Sequence, residues 1–168
     1  KLNGASHSTK ILPEHDISNV GPDLASQSAQ IDFISQCTPL QEAMLAETIS
    51  RPSAYCNWVE LELSVTRTYD EIVAALSYLA KENGILRSGF YMSDSGDRTF
   101  VQVTWQELEH TQIKKVSQFE RAYTLGDAQA LLHPFQVSVQ DEPDRQRVLV
   151  QLHHALYDGW SLDLLLTD

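Results

Sequence analysis

The 168-residue sequence is short of basic charge and of sulfur. Lys and Arg number 12 against 23 Asp and Glu, a formal charge of −11. A nucleic-acid binder needs a cationic face to displace counterions from phosphates, so no nucleic-acid partner is expected. The only cysteines are Cys37 and Cys56, with no Cys-x-x-Cys and no Cys/His spacing of the structural-zinc kind. Two such residues make no disulfide framework, and reduced thiols in the cytoplasm are the expectation. No apolar run approaches the roughly 20 residues that cross a bilayer, so no membrane partner is expected. The opening KLNGASHSTK lacks the apolar centre of a signal peptide.

What is present is the composition of a soluble globular protein, 42% hydrophobic and 21% charged. The length suits one domain with a sizeable core. Residues 1–30 are rich in Ser, Asn, Asp, Pro and Gly without sustained apolar periodicity, and read as a linker or leader. The domain is then expected over 31–168.

CTPLQEAMLAETISRP carries a helix start: Thr38 to cap, Pro39 in the first helical position and Gln41 where a capping box takes Glu or Gln. Leu40, Met44, Leu45 and Thr48 fall on one side of that helix. NWVELELSV alternates as a half-buried strand, Val59, Leu61, Leu63 and Val65 on one face. TYDEIVAALSYLAKENG repeats apolar residues at Ile72, Leu76, Leu79 and Ala80, with Gly84 at its exit. ILRSGFYM and RTFVQVTW predict a hairpin, IKKVSQFERAYTL a helix and DAQALLHP a short helical turn. FQVSVQ and RQRVLVQLHH predict two strands. Hairpins mixed with helices favour an α+β fold, a two-layer mixed sheet with packed helices.

The chemistry concentrates in QLHHALYDGWS, residues 151–161. Side chains alternate along a strand, so His153 lies with Leu149 and Gln151 while His154 continues the face of Val148, Val150 and Leu152. The pair therefore cannot chelate together. His154 with Asp158 supplies only two ligands where zinc takes three or four, and no metal is expected. A core histidine followed by an ordinary Asp-Gly turn is the competing reading.

HHALYDGWS resembles the HHxxxDG signature of the chloramphenicol-acetyltransferase-like superfamily, which includes condensation domains of nonribosomal peptide synthetases. Heterocyclisation domains replace the histidines with aspartate, and epimerisation domains follow the signature with Ser-Trp-Arg, where this chain has Ser161-Leu162-Asp163. TPLQEAMLAETI is similar to the first core motif of condensation domains. ENGILRSGF matches the second at Leu86, Arg87, Ser88 and Phe90, but Glu82, Asn83 and Gly84 stand where that motif has arginine, histidine and glutamate. HPFQVSV fits the family's Pro-Phe-Asp-Leu segment with Gln136 in place of aspartate. The wording of CTPLQEAML and HHALYDGWSLDLLL looks most like fungal synthetases of the hydroxamate-siderophore kind.

The resemblance implies one lobe, the N-terminal one, of a V-shaped pair with the signature at the junction. The C-terminal lobe is expected to be absent, since the sequence stops seven residues after Ser161. The implied reaction is amide formation between a donor acyl thioester and an acceptor aminoacyl thioester. Both ride on 4′-phosphopantetheine arms of carrier domains, no cofactor being bound directly. Carrier domains, an adjacent adenylation domain and the second lobe are the implied partners, and the fragment alone is expected to be inactive.

His154 is the candidate catalyst, taking the proton that becomes acidic as the C–N bond forms; an imidazole of ordinary pKa, about 6.5, suits that task. The N–H of Gly159 is a candidate oxyanion donor, or Gly159 is simply the turn residue. Asp158 either orients His154 as in a triad or pairs with Arg87 to fix the loop, the second being the family's pattern. His153 is assigned a structural role, and Tyr157 and Trp160 are expected to pack. Ser161 is expected to cap a following helix. Two other functions fit the same residues: a non-catalytic carrier-docking or scaffold module, and a small-molecule acyltransferase completed by trimerisation.

Overall fold

The computed structural model describes residues 21–64, 66–93, 100–125, 130–141, 145–158 and 161. Its helices are α1 (Pro22–Ser26), α2 (Pro39–Ser50) and α3 (Tyr69–Glu82). Its strands are β1 (Ile31–Gln36), β2 (Cys56–Leu63), β3 (Ser88–Met92), β4 (Phe100–Trp105), β5 (Ile113–Lys115), β6 (Phe135–Asp141) and β7 (Gln146–His153). They form two sheets rather than one. The first has the order β1-β4-β3 and is antiparallel throughout; the second has the order β2-β7-β6-β5, with β5 parallel to β6. The expected α+β class with mixed strands and packed helices is what forms.

Both long helices begin where local chemistry places them. Thr38 accepts from the Gln41 N–H and Gln41 returns the bond to Thr38; Thr68 and Glu71 do the same for α3. Each box satisfies amides that an open helix end would leave unpaired. Leu45 and Thr48 of α2, and Ile72 and Ala80 of α3, are buried, with Leu76 and Leu79 packed at the margin. Leu40 departs from the expected buried face: it is 66% exposed.

The main core lies where α2 and α3 meet the second sheet, with Leu45, Ile72, Phe90, Phe135, Val137, Val148 and Leu152 together. β7 is an inner strand of that sheet, and Val148 and Leu152 on one face and Leu149, Gln151 and His153 on the other are all buried. A smaller core of Leu24, Ile31, Ile34, Val101, Val103, Trp105 and Leu132 backs the first sheet. Gly89 is required at their meeting: a Cβ there would lie 1.9 Å from the Leu132 carbonyl oxygen.

Two expectations change. Packing reaches upstream of residue 31, for Leu24 of α1 is fully buried in the smaller core. A Cβ on Gly21 would collide with the Tyr91 hydroxyl, so the chain is already tight against β3 there. Gly21 and Leu24 are thus packed against the first sheet and its core. Second, IKKVSQFERAYTL is not a helix. Its first three residues are β5, and the rest runs as irregular chain to residue 125. Val116 N–H donates to the Val139 carbonyl, Leu125 N–H to the Pro52 carbonyl, and Gln151 Nε2 to the Glu120 carbonyl. These long-range bonds replace the i→i−4 ladder that helical propensity alone favours.

Candidate active site

The histidine pair straddles the end of β7. The strand closes at His153, and His154–Leu156 form one 3-10 turn. His153 is fully buried. Its Nδ1 accepts the Ala155 N–H at 3.1 Å, which puts the ring proton on Nε2, 2.7 Å from Thr48 Oγ1. The Thr48 hydroxyl then faces the carbonyls of Met44 at 2.9 Å and Ala54 at 3.0 Å. Burial first, and the neighbouring His154 second, lower the pKa of His153 to about 4. A ring already accepting at one nitrogen and donating at the other has no room for a second proton. The ring is thus held neutral with both nitrogens engaged.

His154 is half-buried at the rim of the turn. Its N–H donates to the Tyr55 carbonyl at 2.8 Å, and its ring leans on Tyr157 with centroids 4.8 Å apart. The Tyr157 hydroxyl accepts from Asn57 Nδ2 at 2.7 Å, fixing the ring that supports the imidazole. Among the described residues, the buried His154 Nδ1 has no hydrogen-bond partner. Among the described residues no carboxylate, Asp158 included, fixes that nitrogen as in a Ser-His-Asp arrangement.

Asp158 is occupied otherwise. Its N–H donates to Ser161 Oγ at 2.9 Å, while the Ser161 N–H reaches Asp158 Oδ1 at 2.8 Å and the Ser161 hydroxyl reaches the same oxygen at 2.7 Å. The cap is thus Asp158, with Ser161 in the third place of a reciprocal box. The expected Asp158–Arg87 pair does not form. Arg87 lies in the turn between α3 and β3, where Nε donates to the Ala80 carbonyl at 3.2 Å and Nη1 to Asp32 at 2.9 Å and to the Trp105 carbonyl. It ties the end of α3 to β1 and β4, away from the signature. Gly159 and Trp160 lie outside the described residues.

The structure adds residues that the sequence does not single out for the site. Tyr55, at φ 56°, sits in the left-handed region that non-glycine residues seldom adopt, and its carbonyl is the one that receives His154. Gln41, identified from sequence only as a capping residue, also donates through Nε2 to the Ala155 carbonyl at 3.0 Å and to Gln102 Oε1 at 3.1 Å. The capping pattern exposes Gln41; nothing in the sequence exposes the strained turn at Tyr55. Both cysteines are free. Burial, then Glu42, pushes the Cys37 thiol up to about 12, so it is no nucleophile near neutrality. Among the described residues no group of three or more His, Cys, Asp or Glu could hold a metal, and no helix is long and apolar enough to cross a membrane.

This two-sheet α+β architecture is that of condensation domains of the chloramphenicol-acetyltransferase-like fold. The starter condensation domain of rhizomide synthetase superposes with a TM-score of 0.61 at 15% identity, over 79% of this chain and 36% of that one. The condensation domain of the Monacolin K polyketide synthase gives 0.56 at 12%, over 74% and 31%. No protein-family model matches the chain. In sequence its homologues are fungal nonribosomal peptide synthetases. Nonribosomal peptide synthetase 2 of Cochliobolus heterostrophus is 53% identical over 138 residues, 82% of this chain and 3% of that protein. Its counterpart in Gibberella zeae is 42% identical over 147 residues, 86% and 3%. The hydroxamate-type ferrichrome siderophore peptide synthetase of Schizosaccharomyces pombe is 26% identical over 96% of this chain and 4% of that one. The chain thus has the fold of condensation domains and matches segments of fungal nonribosomal peptide synthetases, spanning only a few per cent of the length of the curated relatives it matches.

Proposed function

We propose that the chain is the N-terminal lobe of a condensation domain that joins a donor acyl thioester to an acceptor aminoacyl thioester, and that it supplies one wall of the active site. The carriage of His154 supports this reading most directly: a half-buried imidazole on a turn whose backbone is held by Tyr55 and by His153. Catalysis needs such a group on rigid support, because small displacements of a reacting group are costly. The second lobe supplies the opposing wall, and carrier domains deliver both substrates on phosphopantetheine arms, with an adenylation domain loading the acceptor.

The chemistry asks little of a base at the start. A free α-amine has a pKa near 7.7–8.0, so roughly a tenth to a fifth is neutral at pH 7, and deprotonation costs about 1 kcal/mol. The amine attacks the thioester carbonyl, the C–N bond forms, and the ammonium proton of the tetrahedral intermediate becomes acidic. His154 accepts or bridges that proton, and collapse of the intermediate breaks the C–S bond and releases the donor's thiol. With no carboxylate on Nδ1, His154 works by local hydrogen bonding rather than as the middle member of a triad. The Gly159 N–H is assigned to the developing oxyanion. His153 and Arg87 hold the framework, and Asp158 caps the exit from the signature.

The test is a condensation assay on the complete two-lobed domain with loaded donor and acceptor carriers. His154→Ala is expected to lower amide formation by about 10²–10⁴ with the fold intact. Undiminished turnover would remove His154 from the chemistry, and carrier binding without turnover in the parent domain would favour a docking module.

A further inference from the structure

Among the described residues, three capping boxes take Glu or Gln in the third position, and the two glutamines make a second bond that the glutamate does not. Glu71 closes the box of α3, where its carboxylate bonds only Thr68 and faces solvent. Gln41 and Gln112 close the other two, and each spends its amide elsewhere as well. Gln112 Oε1 accepts the Glu109 N–H at 3.0 Å while Nε2 donates to the Phe135 carbonyl at 2.7 Å. Gln41 Oε1 accepts the Thr38 N–H at 2.8 Å while Nε2 donates to the Ala155 carbonyl and to Gln102 Oε1. A box needs only an acceptor, which glutamate supplies equally well. The amide is needed where a distant oxygen must be held.

The oxygen that Gln41 holds belongs to the residue after His154. Across His154 and Ala155 every backbone polar group has a partner: His154 N–H to the Tyr55 carbonyl, His154 C=O from the Tyr157 N–H, Ala155 N–H to His153 Nδ1, and Ala155 C=O from Gln41. Only two of these anchors come from elsewhere in the fold. Tyr55 fixes the turn against the start of β2. Gln41 fixes it against α2 and, through Gln102, against β4 of the other sheet. Without Gln41 the turn loses its tie to Gln102 of β4 and keeps its hydrogen-bonded link to α2 only through His153 and Thr48.

We infer that Gln41 is a positioning residue for His154, setting the aim of the imidazole by holding the Ala155 carbonyl to the first turn of α2; this rests on the catalytic reading of His154. Gln41→Glu separates this role from capping. One carboxylate oxygen still accepts the Thr38 N–H, so the helix start is kept, but the oxygen that replaces Nε2 is an acceptor facing the Ala155 carbonyl and Gln102 Oε1. In the complete condensation domain, Gln41→Glu is expected to lower kcat roughly 10–100-fold, the scale of a misplaced reacting group, with KM for the loaded carriers within about twofold. Gln41→Met, which adds no charge, should fall in the same direction should the glutamate variant fold poorly.

Wild-type kcat per folded molecule in both variants, with His154→Ala already inactive, would overturn the inference and leave the catalytic reading standing. So would a lowered melting temperature with kcat unmoved. Full activity of His154→Ala would overturn the catalytic reading itself, and the positioning role with it.

Discussion

The two sides of the peptide bond between His153 and His154 are built to opposite specifications. On the strand side, His153 has both ring nitrogens engaged, is sealed from solvent and is held neutral with a pKa near 4. On the turn side, His154 has its backbone fixed and its ring left partly open, with an aromatic support and no polar partner at Nδ1 among the described residues. Adjacent identical residues thus divide a fully engaged imidazole from a partly open one. The first behaves like a main-chain amide, accepting one N–H and donating one.

That division can be broken from the structural side. His153→Leu keeps the volume but removes both bonds and strands the Ala155 N–H, which should cost about 2–4 kcal/mol in urea unfolding. A loss well under 1 kcal/mol would show that the two bonds are dispensable.

A smaller effect follows from acid. Unfolded histidine takes a proton as pH falls through about 6.5, while His153 in the fold resists until about 4. The unfolded state therefore binds more protons between those values. The contribution of His153 is complete above pH 6.5 and is lost as pH falls towards 4, by roughly 1–3 kcal/mol. Unfolding midpoints between pH 7 and pH 4.5 should fall more steeply in the wild type than in His153→Leu; parallel slopes would contradict the assignment.

The smallest change is Thr48→Val, which removes the hydroxyl that receives the His153 Nε2 proton while keeping the shape. About 1–2 kcal/mol is expected from the stranded donor, read by thermal or urea unfolding. His154-dependent turnover in the complete domain should change far less than stability does.

Much of this division is legible in the sequence itself. Strand alternation puts His153 with Leu149 and Gln151, as β7 has it, but the expected continuation of the strand to His154 does not hold, since the strand closes at His153 and His154 opens a 3-10 turn. The starts of α2 and α3 are equally plain, since capping is local chemistry. What the sequence does not disclose depends on residues far apart in the chain. The segment after β5 carries helical residues, yet Arg121 is drawn to Glu60 and packs 5.5 Å over the Trp58 ring. The Arg87–Asp158 pair is what the resemblance implies, but Arg87 finds two carbonyls and Asp32 nearer to its own turn, and Asp158 finds Ser161. Nearer partners displaced the expected pair at both of its ends. Gln41 is the intermediate case: its local half is visible and its long-range half is not.

The burial of Leu24 has a bearing on how synthetases of this kind are recombined. It plugs a socket formed by Ile31, Ile34, Val101, Val103, Trp105 and Leu132, against the back of the sheet to which Gln41 moors the His154 turn. A splice point chosen at residue 31, where the sequence first looks structured, would pull that plug and replace it with whatever linker the donor module brings. A junction upstream of Gly21 carries the plug along with its socket, so a transplanted module keeps its own back wall.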